Sequence, residues 1–356
     1  MTKLKQALCF LFVAVADPAF AEGLIIGHTN VMGVANLPQA VMDQAAQFRW
    51  FFAHASVGGN MMNGITDLNT QSNTFYRIRY LTDDANPPTV TTNARVYEYN
   101  RGNPGWQAKA DAFRTYVSNG WRFPKVNLVL DKLCYIDPTA DVDYYIASMS
   151  NLEGTYPETV FVYATIPLTT SSDSDNNLRN IYNDTLRGWV WTNNRVLFDI
   201  ADIEAHDTNG VEYTFTYSGR TNQLMYNGNS SDGGHLNALG CRQVALGFYA
   251  VCYSLLTSDR DGDGMSDGNE LIAGMCPTSS ASVFKFSCPT SVEGSGTIVA
   301  WPSTSNRYYF LQRITNLIAS AYTNLLTNSI ATPPMNCYTD SPTGAGPFFY
   351  KVGVRQ

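Results

Sequence analysis

Two short stretches of this chain bring together residue types that can do acyl-transfer chemistry. The first is Phe52-Ala53-His54-Ala55-Ser56-Val57-Gly58-Gly59-Asn60, where an aromatic, strand-like run meets a helical pattern. A Ser at that junction projects from the carboxyl edge of a sheet, where sites form in open α/β folds. It also stands at a helix N-terminus, whose free N–H groups and dipole favour a developing oxyanion. The second stretch is Asp232-Gly233-Gly234-His235-Leu236-Asn237-Ala238-Leu239-Gly240. Asp three residues before His, with two Gly between, lets both side chains converge. His235 can then accept the Ser56 proton while Asp232 holds the tautomer.

A third stretch suits a metal ion. Asp259, Asp261, Asp263, Asp267 and Glu270 fall at positions 1, 3, 5, 9 and 12 of a loop with Gly264 at position 6. Calcium takes six to eight hard oxygens at about 2.4 Å. Short Asp side chains at odd positions of a tight loop point inward, and Gly264 permits the turn. Met265 can offer its carbonyl, and Glu270 can bind bidentately from the start of a helix. A single copy implies a structural ion that stiffens a linker rather than a switch.

These groups need a frame. From Phe48 to Leu256 strand-like apolar runs alternate with helical ones. Phe48–His54, Val126–Ile136, Thr159–Ile166 and Val196–Ile200 are the apolar runs expected of buried parallel strands. Val57, Met61, Ile65 and Leu68 recur at helical spacing, as do Trp106, Ala110, Phe113 and Val117, and Leu236–Leu256 is a long amphipathic helix. Such alternation predicts a parallel sheet with helices on both faces. Asp and Gly dominate from Ser258 to about Pro277. Beyond Cys288, Thr297–Trp301, Tyr308–Arg313 and Phe348–Val354 alternate between turn residues, which predicts a small all-β sandwich over 288–356. Its Tyr and Trp residues are expected in its core.

The composition, 44% hydrophobic and 15% charged over 356 residues, excludes a disordered chain. A net charge of −7 and the lack of a Lys/Arg cluster exclude a nucleic-acid binder. Residues 1–21 have the layout of a secretory signal peptide: Lys3 and Lys5, the apolar run Ala7–Ala16, then Ala19-Phe20-Ala21. A secreted, periplasmic or cell-surface location follows. Cys9 follows Leu8 rather than a small residue, which argues against a lipoprotein anchor. No run reaches the roughly 20 apolar residues of a transmembrane segment. Cleavage after Ala21 leaves six Cys, with Cys276 and Cys288 placed to pair across a short loop; Cys241 and Cys252 lie too far apart along one helix to pair.

Ser56, Asp232 and His235, in this order and on these elements, resemble the SGNH/GDSL hydrolase superfamily over residues 25–256. Phe198-Asp199-Ile200-Ala201-Asp202 also resembles that family's late strand. The resemblance implies a flavodoxin-like three-layer α/β sandwich and acyl esters of carbohydrates or small lipids as substrates, with no cofactor for catalysis. Residues 258–277 resemble a thrombospondin type 3 repeat or a single EF-hand-like loop. That resemblance implies Asp259, Asp261, Asp263, Asp267 and Glu270 as the calcium ligands. Two departures stand out. His54-Ala55-Ser56 replaces Gly-Asp-Ser, and Leu133-Cys134-Tyr135-Ile136-Asp137 stands where Gly-x-Asn-Asp is expected. The oxyanion donors are therefore expected from the Ser56 N–H, the Gly102 N–H and the Asn103 amide; His54 lines the site if the strand continues, and is otherwise a structural His. A different reading stays open: Ser56 as a helix cap, Asp232 and His235 as cap and surface residue, and the chain as an inactive secreted calcium-binding adhesion or glycan-binding protein. Binding of polysaccharide through the β module is a third reading. Glu204, His206 and Asp207 form a further polar cluster that could hold a metal or remain a loop network.

Overall fold

The computed structural model describes residues 22–82, 95–119, 126–287, 289–292, 296–318, 322–342 and 347–356. The expected leader and Cys288 lie outside them. The larger domain is built on seven strands: β1 (Leu24–Ile26), β2 (Trp50–His54), β3 (Tyr80–Thr82), β4 (Val96–Asn100), β5 (Leu128–Asp131), β6 (Val160–Ala164) and β7 (Val196–Phe198). They line up in the order β1-β7-β6-β5-β2-β4-β3, parallel at every pairing.

The side chains of each strand alternate between two cores. Trp50 and Phe52 enter one, Phe51 and Ala53 the other; Leu128 and Leu130 oppose Val129, and Val160 and Val162 oppose Phe161 and Tyr163. Both faces are apolar because both are covered, hence the uninterrupted runs in the sequence. The helices are α1 (His28–Gly33), α2 (Gln39–Ala45), α3 (Val57–Gln71), α4 (Trp106–Ser118), α5 (Val142–Glu153), α6 (Ser174–Thr192), α7 (Ile200–Ala205) and α8 (Ala238–Thr257). Met61, Ile65 and Leu68 of α3 pack with Val244, Phe248 and Val251 of α8 on the first face. Phe113 of α4, Met149 of α5 and Leu186 of α6 close the second. At the contact of α3 with α8, a Cβ on Gly64 would lie 2.0 Å from the Cys241 carbonyl oxygen, so only glycine permits the approach.

By length and apolarity α8 matches a membrane span, which corrects the expectation that no run is long enough. In this structure 61% of its most apolar window is buried inside the domain. Cys241 and Cys252, both on α8, are buried free thiols.

α9 (Asp267–Ala273) closes the acidic loop. The last region forms two three-stranded antiparallel sheets. β10 (Thr290–Val292), β11 (Gly296–Pro302) and β14 (Met335–Asp340) make one; β12 (Tyr308–Ile314), β13 (Thr323–Ile330) and β15 (Phe349–Arg355) make the other. Val299, Trp301, Tyr309 and Leu311 fill the core between them. Trp301 and Tyr309 are buried there, as expected of core rings. The module is joined to the first domain through α9. Asn127, just before β5, donates its amide to the Leu271 carbonyl at 3.0 Å. Arg307 donates to the Leu271 and Ile272 carbonyls from the module side.

Candidate active site

β2 stops at His54, and Ala55 and Ser56 lead straight into α3. Ser56 has φ 53° and ψ −112°, a conformation that a residue with a side chain rarely adopts. Holding a non-glycine residue there costs about 1–3 kcal/mol. In return the hydroxyl is lifted off the strand end and clear of the helix cap, since Ser56 makes no side-chain capping bond. Among the described residues its backbone N–H has no hydrogen-bond acceptor.

His235 arrives from the loop before α8. Asn237 caps that helix, its Oδ1 accepting from Leu239 N at 3.0 Å and Gly240 N at 3.1 Å. The loop is tied to the helix of Ser56, because Leu236 N donates to Asn60 Oδ1 at 3.2 Å. It is tied to the loop after β6 as well, through Thr170 N and the Gly233 carbonyl at 2.9 Å. Ser56 Oγ and His235 Nε2 are 2.7 Å apart. His235 Nδ1 lies 2.7 Å from Asp232 Oδ2, and the other carboxylate oxygen accepts from the N–H groups of His235 at 2.7 Å and Gly234 at 3.0 Å. These bonds, the His235 N–H first, hold the Asp232 carboxyl down at about 2. The sequence thus named three residues from distant segments that the fold brings into one line. Such a line can pass a proton from a hydroxyl to an imidazole whose second nitrogen is fixed by a carboxylate. The site is open: the side chains of His235 and Asp232 are 37% and 56% exposed.

The expected oxyanion and substrate groups fare differently. Asn103 is near: its Oδ1 accepts from Cys134 Sγ at 3.1 Å, and the same sulfur reaches the Ala55 carbonyl at 3.4 Å. The Gly102 N–H, in contrast, donates to Asn100 Oδ1 at 3.1 Å. His54 does not line the site, which corrects the sequence reading. It would share Ser56's direction only if the strand continued, and the strand ends. His54 is fully buried, 3.0 Å from Glu98 Oε1, stacked on Phe52 and pressed under Gly58, where a Cβ would meet its ring at 2.3 Å. Burial, partly offset by Glu98, lowers its pKa.

Sequence reasoning named the loop after β5 as a departure from the expected block but gave Tyr135 no role. Asp131 forms a buried pair with Arg101 at 2.7 Å, each side chain 1% exposed, and burial pushes the Asp131 carboxyl up to about 6. Lys132 is also buried; it donates to the Leu133 carbonyl at 2.9 Å, and desolvation lowers its pKa. Asp137 accepts from Lys109 Nζ at 2.6 Å and from Cys134 N at 2.8 Å. These buried charges end the strand that the apolar run seemed to prolong to Ile136. They turn the chain so that Tyr135 stands edge-on to His235, ring centroids 5.4 Å apart at 87°. Nothing in the local sequence marks Tyr135; the signal is spatial.

At the acidic loop, carboxylate oxygens of Asp259, Asp261 and Asp263 lie within 4.8 Å of one another. Glu270 is fully buried, and neither of its oxygens has a hydrogen-bond partner; Asp261 Oδ2 and Asp263 Oδ2 are likewise without one. Burial, then Asp261 and Asp263, push the Glu270 carboxyl up to about 8. Unsatisfied carboxylate oxygens around one point are the donor set a hard divalent cation requires. Asp267 does not join them, contrary to the expected ligand pattern. Its oxygens accept from Ser258 Oγ at 2.5 Å, from Arg260 N at 2.9 Å and from Arg260 Nε at 2.7 Å. Met265 donates its N–H to Asp263 Oδ1 at 2.7 Å.

The Glu204, His206 and Asp207 cluster disperses. Glu204 is buried, accepts from Leu168 N at 2.7 Å and is pushed up to about 8 by burial; Asp207 folds onto its own turn. His206 instead stacks on His28 at 3.4 Å with Asp202 beside both. One possible ligand atom from each of His28, Asp202 and His206 lies within 4.8 Å of the others.

No family model and no curated protein matches this sequence. Among solved structures, the fold is similar to a G-D-S-L-family protein from Desulfitobacterium hafniense DCB-2. The identity is 10% and the TM-score 0.36, over 57% of this chain and 98% of that one. It is also similar to a two-domain esterase active on acetylated mannans, with 11% identity and a TM-score of 0.36, over 94% of this chain and 90% of that one. Likenesses this weak leave the functional reading to the side chains.

Proposed function

We propose that this chain is a serine ester hydrolase worked by Ser56, His235 and Asp232. The observation that carries the reading is the pair of 2.7 Å contacts running Ser56 Oγ to His235 Nε2 and His235 Nδ1 to Asp232. As Oγ bonds to the acyl carbon, its proton passes to His235 and the carbonyl electron pair moves onto oxygen. Collapse breaks the ester C–O bond, and the alcohol leaves with the proton from His235. Water, deprotonated by the same imidazole, then releases the acid and restores Ser56. These steps require no cofactor. An exposed His235 and Asp232 suit an acyl ester on a bulky alcohol such as a carbohydrate. The test is a fluorophosphonate probe applied with calcium present: the protein is expected to take the label and Ser56→Ala to lose it. No label on the wild type, or label kept by S56A, overturns the hydrolase and favours an inactive calcium-binding adhesion protein.

Calcium belongs to the same proposal as a structural ion. Asp259, Asp261, Asp263 and Glu270 would hold it, with the Met265 carbonyl as a further oxygen. Bound there, the ion neutralises a crowded set of acids between the two domains. An ion held at a hundredfold over its Kd stabilises by about 3 kcal/mol. Chelation is therefore expected to lower the melting temperature by several degrees, with recovery on adding calcium but not magnesium. A melt indifferent to chelator removes calcium from the proposal.

A further inference from the structure

The hydrolase reading leaves a question of charge. When Ser56 attacks, negative charge gathers on an oxygen next to Oγ, and preorganised donors must meet it. The Ser56 N–H is uncommitted, but the Gly102 N–H is engaged with Asn100 and the Asn103 carbonyl oxygen with Cys134. One more donor stands beside the Ser56–His235 pair. The Tyr135 ring packs edge-on to His235, centroids 5.4 Å apart, with its hydroxyl end over Gly234, the residue before His235.

The surroundings hold the phenol in that place. Arg179, almost wholly buried, donates from Nε to the Tyr135 carbonyl at 2.6 Å. Opposite the ring lies Gly234. A Cβ there would come within 2.7 Å of Tyr135 Cζ, the atom bearing the hydroxyl, and within 3.0 Å of both Cε atoms. Gly234 has no positive φ to explain it. The second glycine of Asp-Gly-Gly-His is thus needed to admit the hydroxyl end of Tyr135 beside the catalytic imidazole.

We propose that the Tyr135 hydroxyl is a catalytic oxyanion donor, acting with the Ser56 N–H on the tetrahedral intermediate; this rests on the hydrolase reading above. Once Ser56 Oγ has bonded to the acyl carbon, the phenol donates to the neighbouring oxygen that has received the carbonyl pair. It keeps its proton throughout, so the balance of the reaction is unchanged. Burial and the charge of Asp232 raise the phenol's pKa, which favours the protonated, donating form.

Tyr135→Phe keeps the ring and removes only the donor. With rates normalised to the titre of fluorophosphonate-reactive sites, kcat for an activated ester is expected to fall about 100-fold with KM within threefold. Binding of a boronic acid, whose tetrahedral adduct carries the same charge, should weaken by a similar factor. A ring that merely packs or holds substrate predicts otherwise: kcat within threefold of wild type, or a change confined to KM. Either of those results overturns this inference. Normalising to titre removes any contribution from unfolded molecules. If the wild type neither hydrolyses esters nor labels at Ser56, the hydrolase reading falls and this inference with it. If Ser56-dependent turnover is present and Y135F retains it, only the role of Tyr135 falls.

Discussion

Asp232→Asn is expected to lower kcat about 10⁴-fold while KM and the melting temperature stay close to wild type. The amide oxygen can still accept from the N–H groups of His235 and Gly234, so the loop keeps its shape. The amide nitrogen then faces His235 Nδ1, where the carboxylate now sits at 2.7 Å. Two donors cannot share that contact, so the imidazole must place its proton on Nε2. That nitrogen can no longer take the proton of Ser56. Steady-state kinetics on an activated ester measures the effect, and a variant within tenfold of wild type would remove Asp232 from the relay. The carboxyl is held down at about 2, so it stays charged from pH 4 to 8. An acid limb within that range must come from another group.

Gly64→Ala is expected to disable the enzyme from a distance. The new methyl would lie 2.0 Å from the Cys241 carbonyl oxygen and 2.7 Å from Ala245 Cβ, so α3 and α8 must part. Overpacking of this kind costs typically 1–3 kcal/mol, and more where the obstacle is backbone, which cannot swing aside. Ser56 precedes α3 and His235 precedes α8, so the same displacement stretches their 2.7 Å contact. A melting temperature lowered by several degrees, with slower labelling of Ser56 in the molecules still folded, is the expected pair of results. An unchanged melt with normal labelling would show that the two helices have slack.

Both outcomes depend on features of unequal visibility in the sequence. Ser56 and the Asp232/His235 pair were legible because local spacing encodes them: one at a strand–helix junction, the other across two glycines. The parallel sheet was legible because strands covered on both faces read as apolar runs. α6 was not. Its inner face carries Asn176, Asn180 and Asn183, whose amides pair with the backbone of Thr169, Gln223 and Ile166. The apolar stripe of α6, Tyr182, Leu186 and Val190, covers only its second half, so its first half gives no periodic signal. Asp267 misled for a similar reason, because loop position cannot tell that Arg260 takes its oxygens. His54 was misjudged because strand alternation was carried past the residue where the strand ends. Tyr135 depends on three buried charged side chains, Lys109, Lys132 and Asp137, that reshape its loop, and no window of sequence displays them together.

The attachment of the C-terminal module carries one more consequence. Asn127 and Asn194 meet Leu271 and Arg260 at the start of β5 and just before β7, while Ser56 follows the finish of β2. The two sit at opposite poles of the sheet. A protein moored by its tail half to a solid particle would therefore turn its reactive mouth outward, toward neighbouring chains and not toward its own anchorage.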